Sequence, residues 1–253
     1  MAKAELLLLA VVSTLSVLPF SSLAVYQDFC IADLAASATP GGYPCKPAKD
    51  VTADDFHYGG LGSPGTALKP FKISLGSAIV TTFPGLNGLG ISAARMVMVP
   101  GGATPLHSHP GGTELIYVVE GSVVSGFISA ALNRVYTKTL YAGDLMVLPR
   151  GQLHFQYSHG NATAVTLSSF SSDNPGLQIL DFALFANDLP TEVVNKVTTL
   201  DELQVIKLKA LFGGRGLGAR TIYIPQSTVL RLEFAHGFVS EHVFSMLVMF
   251  VIM

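Results

Sequence analysis

The chain has 253 residues, of which 49% are hydrophobic and 13% are charged, and its formal net charge is −2. A chain of this length can bury one substantial core, and its single set of motifs indicates one domain. The net charge is close to zero and the basic residues are not clustered, which argues against nucleic acids and anionic membrane surfaces as partners.

The first predicted element is a secretory signal peptide over residues 1–24. Lys3 gives the positive start, residues 6–18 form a short apolar segment, and residues 22–24 provide a small-residue cleavage site. The alternative is a membrane anchor, but the apolar run is shorter than the roughly 20 residues that a spanning helix needs. The sequence therefore predicts secretion and no stable membrane span.

The two cysteines of the chain, Cys30 and Cys45, follow this segment. In a secreted protein an isolated pair that closes a short loop predicts a disulfide, whereas two free thiols fit an oxidising compartment poorly. By the loop-entropy model such a bond contributes roughly 3 kcal/mol. It would tie the N-terminal arm to the rest of the fold.

Short strands separated by turn residues make up the middle of the chain. They follow a loop rich in glycine and proline, residues 51–66, whose Asp54, Asp55 and His57 we interpret as a solvated face rather than a second metal site. Arg95 lies among apolar residues, and burial with an unidentified partner is one interpretation of it. Strands are predicted over residues 71–82, 90–99, 115–119, 122–130, 135–140, 145–148, 154–157, 164–170 and 177–184. At least seven short strands at this spacing indicate a β-sandwich or barrel.

Four residues in this region form a candidate metal-ligand set. His107 and His109 are two positions apart, so that in a strand they project from the same face. Glu114 opens an apolar strand, where a bound cation would neutralise its charge. His154 follows a turn and opens another strand. Without a nearby thiolate the set argues against structural zinc, and imidazoles with one carboxylate admit manganese or iron.

The first of the two segments resembles the first cupin motif, in the form found in plant germin-like proteins. That motif runs from a glycine through His-x-His to a glutamate and a second glycine. It is matched at every position, by Gly101, His107, His109, Glu114 and Gly121.

The second segment is similar to the second cupin motif. It is matched at Gly143, Pro149, Gly151 and His154, but Ser158 stands where the family usually has asparagine. The similarity runs from about residue 26 to residue 214. The stretch NPGLQILDFALFANDLPTEV looks most like the auxin-binding, peach-type subgroup of germin-like proteins.

The resemblance implies an all-β fold, a cupin β-barrel of the jelly-roll type, with a small C-terminal helical part, over residues 25–214. It implies that His107, His109, Glu114 and His154 bind Mn²⁺, and that Cys30 and Cys45 form the disulfide that germin-like proteins carry. It also implies a homo-oligomer, a hexamer built from dimers, in the apoplast or cell wall.

The pattern changes at Asn187. Thr191 is expected to cap a short helix, and Gly213 and Gly214 are expected to end a second one. Between them an apolar stripe at helical spacing is formed by Leu203, Ile206, Ala210 and Leu211. We interpret this stripe as an oligomer interface, and the alternative is that the helices only cover their own barrel.

Two further features concern processing. Asn161 opens the sequon Asn-Ala-Thr in a polar loop and is a candidate glycosylation site. Residues 215–253 lie beyond the resemblance, and His236 and His242 within them carry no motif. This extension ends in a mostly apolar stretch of eleven residues, 243–253, which is too short to span a bilayer as a helix. A cleaved lipid-anchor signal and an alternative C-terminus are both compatible with it.

The predicted site fits two functions. The first is that of an extracellular manganese superoxide dismutase, an activity assigned to many germin-like proteins. The second is binding of a small auxin-like carboxylate without turnover, with its ring expected near Phe127, Met146 and Phe155. Oxalate oxidation is not expected, because the positions that hold asparagine in true germins match Ala94 and Thr104 here.

Overall fold

A computed structural model of the chain describes residues 28–215. The predicted signal peptide, and residues 216–253 with His236 and His242, therefore lie outside the described residues. Within residues 28–215, no helix combines the length and the apolar character needed to cross a membrane.

The described residues form two antiparallel sheets with few helices, as expected for an all-β fold with a small C-terminal helical part. The strands are β1 (Thr66–Leu68), β2 (Ile73–Ala78), β3 (Ser92–Met98), β4 (His107–Ser108), β5 (Glu114–Glu120), β6 (Ser122–Ile128), β7 (Val135–Tyr141), β8 (Leu145–Leu148), β9 (Leu153–Ser158), β10 (Ala164–Phe170) and β11 (Gln178–Ile179). A six-stranded sheet has the order β1-β2-β3-β10-β5-β8, and a five-stranded sheet has the order β11-β4-β9-β6-β7.

The core lies between the two sheets, and the alternation of side chains along each strand creates it. In β5, for example, Ile116 and Val118 are fully buried while Tyr117 between them is 39% exposed. Full burial of an apolar side chain of this size stabilises the fold by about 1.5–3 kcal/mol. The core cluster comprises Ile73, Met96, Met98, Ile116, Val118, Val123, Leu140, Leu148 and Ala164.

Gly121 shows why the first motif ends in glycine. It joins β5 to β6 with a φ of 72°. A Cβ atom at this position would lie 2.6 Å from the carbonyl oxygen of Thr163. Because of both the positive φ and the close backbone approach, only glycine fits this turn.

The N-terminal arm is held to the sandwich by the predicted disulfide, Cys30–Cys45, which the structure contains. Ile31, beside it, is buried. The side-chain amide of Asn87 donates to the carbonyl oxygen of Tyr43 at 2.9 Å and to Sγ of Cys30 at 3.1 Å. A covalent bond, the buried side chain of Ile31 and these polar contacts therefore hold the arm to the sandwich.

Three helices follow the strands: α1 (Leu180–Phe185), α2 (Thr191–Thr198) and α3 (Glu202–Phe212). The predicted strand over residues 177–184 is therefore wrong beyond Ile179. The chain pairs with β4 for two residues, and the phenylalanines that follow are spaced for a helix. Phe182 and Phe185 both lie against Phe212 of α3, with ring centroids 5.8 and 6.3 Å apart.

The helix ends differ in how well the sequence predicted them. Thr191 is not the N-cap of α2 but its first helical residue, after Pro190. Proline fits the start of a helix because its φ is fixed and it has no N–H to satisfy. Gly213 ends α3 in the left-handed conformation, with a φ of 76°, as predicted.

The apolar stripe predicted in α3 faces away from the helices that α3 packs against. Leu203 is 60% exposed and Leu211 is 49% exposed. The buried side of α3 instead carries Val205 and, less expectedly, Lys209, which is fully buried. The Lys209 ammonium group donates to the carbonyl oxygens of Leu189 at 2.5 Å and Arg215 at 2.7 Å.

Candidate metal centre

The four predicted ligands meet at one end of the sandwich. His107 of β4 and His154 of β9 are cross-strand partners in the five-stranded sheet. Their ring centroids are 4.1 Å apart. His109 follows β4 directly, and Glu114 is the first residue of β5 in the opposite sheet. The site therefore bridges the two sheets, and the core between them sets its width.

The donor atoms of these four side chains all lie within 4.8 Å of one another. All four residues are buried, with His154 only 1% exposed. Oε2 of Glu114 lies 3.1 Å from Nε2 of His154 and 3.3 Å from Nε2 of His109. Within residues 28–215 this is the single group of three or more such side chains close enough to share an ion.

The backbone fixes the orientation of all three imidazoles. A carbonyl oxygen can only accept a hydrogen bond, so each Nδ1 that contacts one must carry the ring proton. The Nε2 lone pair of each neutral ring is then free for the centre of the site. The carbonyl partners are Pro105 for His107 at 2.8 Å, Gly176 for His109 at 2.5 Å and Gln152 for His154 at 2.8 Å.

Glu114 is held in a similar way, and part of it lacks a partner. The Ser168 hydroxyl donates to Oε1 of Glu114 at 2.5 Å. Oε2 of Glu114 and Nε2 of His154 are both buried without a hydrogen-bond partner. Two lone pairs that face each other in a buried site are unfavourable unless a proton or a cation lies between them. The donor set and its unpartnered atoms therefore fit a divalent metal ion.

Burial and charge favour the metal-binding protonation states. Burial lowers the pKa of His107 to about 3. Burial alone would raise the pKa of Glu114, but contacts with His109, His154 and the Ser168 hydroxyl lower it below its ordinary value. The two imidazole contacts become hydrogen bonds only when Nε2 also carries a proton. A neutral imidazole and a carboxylate are the forms that bind metal.

These pKa shifts predict that acid destabilises the metal-free protein. Above pH 6.5, the ordinary pKa of histidine, His107 is neutral in both the folded and the unfolded chain, and its full contribution is present. Below pH 6.5 only the unfolded chain takes up the proton. The free energy of unfolding then falls by up to about 1.4 kcal/mol per pH unit. Below 4.5, the ordinary pKa of glutamate, Glu114 adds a loss of the same sign.

Urea denaturation at pH 8, 7, 6 and 5 in the presence of a chelator measures this dependence. The matched variant is His107→Gln, which keeps a polar side chain but cannot titrate. Below pH 6.5, the free energy of unfolding of this variant should fall less steeply than that of the wild type. The difference should approach about 1.4 kcal/mol per pH unit, which corresponds to one proton. Equal slopes in the two proteins would contradict the assignment to His107.

A cavity of about 230 Å³ lies beside the metal centre, and His107, His109 and Glu114 form part of its wall. Ala94 and Thr104, which match the asparagines of true germins, both line it. Most of the remaining wall is apolar. It includes Leu68, Ile73, Leu75, Ile79, Met96, Pro105, Phe170, Pro175, Leu177 and Ile179.

The predicted ring-binding residues do not line this cavity. Phe127 stacks on Tyr136 with ring centroids 5.1 Å apart, and Met146 packs against the core cluster. Phe155 is the neighbour of His154 in β9, so it points to the opposite face of the sheet. The prediction that these three surround a ligand is therefore wrong.

Sequence reasoning missed several residues of the site. Gln156 lines the cavity and is 1% exposed. It lies two positions after His154 in β9, so the alternation that paired His107 with His109 could have identified it. No sequence pattern identified Ser168 or Gly176, because only the folding of distant segments brings them next to the ligands.

Ser158 links the two motifs although it departs from the family pattern. Its hydroxyl accepts a hydrogen bond from the backbone N–H of Gly101 at 2.9 Å. Its own N–H donates to the carbonyl oxygen of Gly102 at 2.8 Å. A short hydroxyl side chain thus connects the glycine turn of the first motif to the end of β9.

The other residues singled out by sequence lie away from the site. Asp55 pairs with Lys46 at 3.1 Å, as part of a solvated face. Arg95 is half-buried, and its partner is the carbonyl oxygen of Ser63, to which it donates at 3.2 Å. Asn161 is exposed in the loop between β9 and β10.

Comparisons with known proteins agree with this geometry. The family model described as Cupin matches residues 60–206. Germin-like protein 8-14 of rice (Oryza sativa subsp. japonica) is 55% identical over 85% of this chain and 100% of its own length. An auxin-binding protein of peach (Prunus persica) is 51% identical over 77% of this chain and 92% of its own. The solved structure of an oxalate oxidase matches with a TM-score of 0.70 and 35% identity, over 74% of this chain and 96% of the other.

Proposed function

Because the chain belongs to the cupin family and, within it, to the germin-like proteins, we propose that it is a secreted manganese protein of the extracellular matrix with superoxide dismutase activity. The observation that carries this proposal is the buried convergence of three imidazoles and one carboxylate, with Oε2 of Glu114 and Nε2 of His154 unpartnered. Three imidazole nitrogens and one hard carboxylate oxygen admit manganese or iron, and the germin-like relatives favour manganese.

The chain's own residues set the conditions for this chemistry. Manganese, when bound, supplies a one-electron couple, by which two superoxide ions and two protons yield one dioxygen and one hydrogen peroxide. The carbonyl oxygens of Pro105, Gly176 and Gln152 keep the imidazole lone pairs directed at the centre. Ser168 fixes the carboxylate.

The test is the rate of superoxide consumption by the secreted, manganese-loaded protein beside a His154→Ala variant. We expect fast consumption by the wild type and a large loss in the variant, because His154 is the most deeply buried of the four ligands. Metal content is measured in both proteins. If the wild type holds manganese and both proteins are equally slow, the dismutase proposal is wrong.

Binding of a small carboxylate without turnover is the second candidate function. The cavity of about 230 Å³ is larger than superoxide requires, and most of its wall is apolar. Relatives at 50–51% identity carry the name auxin-binding protein. Under this candidate, wild-type protein that holds manganese would bind aromatic carboxylates but not consume superoxide.

Oxalate is expected not to be turned over. Ala94 has no polar group to hold a second carboxylate, and Thr104 offers a hydroxyl in place of an amide. The measurement is hydrogen peroxide release when oxalate is added to the manganese-loaded protein. Peroxide formed above the metal-only background would overturn this expectation.

The proposal extends to location and assembly. The exposed stripe of α3, which includes Leu203 and Leu211, supports an interface with a second copy of the chain. A hexamer built from dimers is the assembly that we propose. The disulfide and the exposed sequon at Asn161 support passage through the secretory pathway to the apoplast or cell wall.

A further inference from the structure

A four-residue loop, Pro110–Thr113, joins two of the metal ligands. His109 precedes it on the side of the five-stranded sheet, and Glu114 follows it as the first residue of β5 in the six-stranded sheet. The loop therefore crosses between the sheets and sets the separation of the two donor groups. Gly111 and Gly112 at its centre have no side chain to restrict the backbone. Contacts from outside the loop must supply that restriction.

A segment that follows β10 holds one side of the loop. The N–H of Gly111 donates to the carbonyl oxygen of Pro175 at 2.8 Å, and the N–H of Ser171 donates to the carbonyl oxygen of Thr113 at 3.0 Å. The N–H of Thr113 donates in return to the Ser171 hydroxyl at 2.9 Å. These bonds hold the middle and the end of the loop, and its start at Pro110 is left to another contact.

Arg150 supplies that contact from the other side of the loop. Its side-chain Nε donates to the carbonyl oxygen of Pro110 at 2.8 Å. Its backbone N–H donates to the Thr113 hydroxyl at 3.3 Å, and the N–H of Gly151 donates to the carbonyl oxygen of His109 at 3.1 Å. Of these three bonds, only the one to Pro110 depends on the identity of the side chain at position 150.

The place of Arg150 in the chain extends the reach of this bond. Residues 149–152 form the turn between β8 and β9, and β9 carries His154. The bond therefore joins the turn before His154 to the loop between His109 and Glu114. Its donor is charged, and such hydrogen bonds are stronger than neutral ones. Arg150 is exposed, so its replacement leaves no cavity in the core.

We propose that Arg150 is a positioning residue of the metal centre. The hydrogen bond from its Nε to Pro110 fixes the loop between His109 and Glu114, which slows release of the metal ion and defines how these two ligands are arranged around it. The position of the donor matters for this role, and the positive charge does not. The inference rests on the proposed function in one respect, since it requires a divalent metal ion at the four ligands.

Three variants of Arg150 separate the position of the donor from its charge. Arg150→Gln places an amide nitrogen, Nε2, as many bonds from the backbone as Nε of arginine, and carries no charge. Arg150→Lys keeps the charge but has a carbon at that point, with its nitrogen one bond farther out. Arg150→Met has neither the donor nor the charge. A positioning role predicts that glutamine substitutes for arginine and that lysine does not.

The measurement is the rate at which the full-length, manganese-loaded protein releases Mn²⁺ to an excess of chelator, after the metal content of every protein has been determined. Release from Arg150→Met and Arg150→Lys should be about 3–10-fold faster than from the wild type, the usual effect of one hydrogen bond. Release from Arg150→Gln should stay within about twofold of the wild type. The electron paramagnetic resonance spectrum of bound Mn²⁺ reports the arrangement of its ligands. It should change in the two fast variants and stay that of the wild type in Arg150→Gln.

Arg95→Met is the matched control. Arg95 also donates to a backbone carbonyl oxygen, that of Ser63, at 3.2 Å. It lies in β3 between Ala94 and Met96, which line the cavity, so its own side chain points to the opposite face of the sheet. This variant should change neither the release rate nor the spectrum. If Arg150→Met does not fold, the comparison of Arg150→Gln with Arg150→Lys decides the test.

The outcomes distinguish this inference from the proposed function. Wild-type release from Arg150→Met, or wild-type release from Arg150→Lys with fast release from Arg150→Gln, overturns the positioning role. Faster release with an unchanged spectrum also overturns it. Wild-type protein that holds manganese but does not consume superoxide overturns the dismutase proposal and leaves the release rates to decide the inference. Wild-type protein that holds no divalent metal overturns both.

Discussion

Glu114→Gln is expected to abolish tight manganese binding and, at the same time, to stabilise the metal-free protein. Glu114 is the only anionic side chain among the four ligands. Its replacement by an amide of the same size removes the charge that compensates a divalent cation. We expect an affinity loss of at least about 100-fold, more than is usual when a residue that only hydrogen-bonds to a metal ligand is lost.

The expected gain in stability of the metal-free variant follows from the unpartnered atoms of the site. In the metal-free protein at pH 8, above the ordinary pKa of imidazole, Oε2 of Glu114 faces two Nε2 lone pairs at 3.1 and 3.3 Å. The amide NH₂ group of glutamine can donate to His154 or His109 at the same position. Relief of the unsatisfied buried groups should raise the free energy of unfolding by about 1–3 kcal/mol.

Urea denaturation at pH 8 with a chelator, and again with excess Mn²⁺, measures both effects. The variant should be more stable than the wild type without metal and should gain no stability when metal is added. Ser168→Ala is the control, since it removes only the hydrogen bond to Oε1. It should lose about 10–100-fold in metal affinity and show no metal-free stabilisation. A metal-free Glu114→Gln protein that is less stable than the wild type would contradict this account.

The candidate metal ligands were predicted from the spacing of the residues together with the resemblance of their two segments to the cupin motifs. Alternation along a strand places His107 and His109 on one face, and turn glycines mark where each strand begins. The same rule reaches Gln156, two positions after His154. Local spacing of this kind survives any arrangement of the rest of the chain, so sequence alone is enough to find it.

The contacts that orient the ligands could not be predicted, because they join distant parts of the chain. Gly176 is 67 positions from His109, and Ser168 is 54 positions from Glu114. The sheet topology brings these residues together, and no local sequence pattern specifies that topology. The same limit explains the error over residues 177–184, where an apolar run suits a strand and a helix equally until its neighbours are known.

Helix α3 shows how a hydrophobic stripe can mislead about which face is buried. The stripe that includes Leu203 and Leu211 is exposed, whereas the fully buried Lys209 lies on the inner face. A buried lysine is stable here because the backbone carbonyl oxygens of Leu189 and Arg215 accept hydrogen bonds from its amino group. Residue type alone predicts the reverse arrangement, and the exposed stripe is consistent with a partner outside this chain.

Replacement of both Cys30 and Cys45 by alanine is expected to lower the free energy of unfolding by about 3 kcal/mol. The bond closes a loop with a sequence separation of 15. Buried Ile31 and the backbone hydrogen bonds of Ala32 and Lys46 remain in the variant, so the expected loss is the loop-closure entropy that the bond removes from the unfolded chain. For a domain of this size the midpoint of thermal unfolding should fall by about 6–12 °C.

Thermal unfolding of the double variant beside Asn87→Ala identifies the source of this loss. Asn87→Ala removes the amide that donates to Tyr43 and Cys30 but keeps the covalent bond. It should cost only about 1–2 kcal/mol. The manganese affinity of the folded double variant should stay within about threefold of wild type, because the ligands are held by β4, β5 and β9 rather than by the arm. A double variant that keeps its thermal midpoint but loses metal would instead show that the arm supports the metal centre directly.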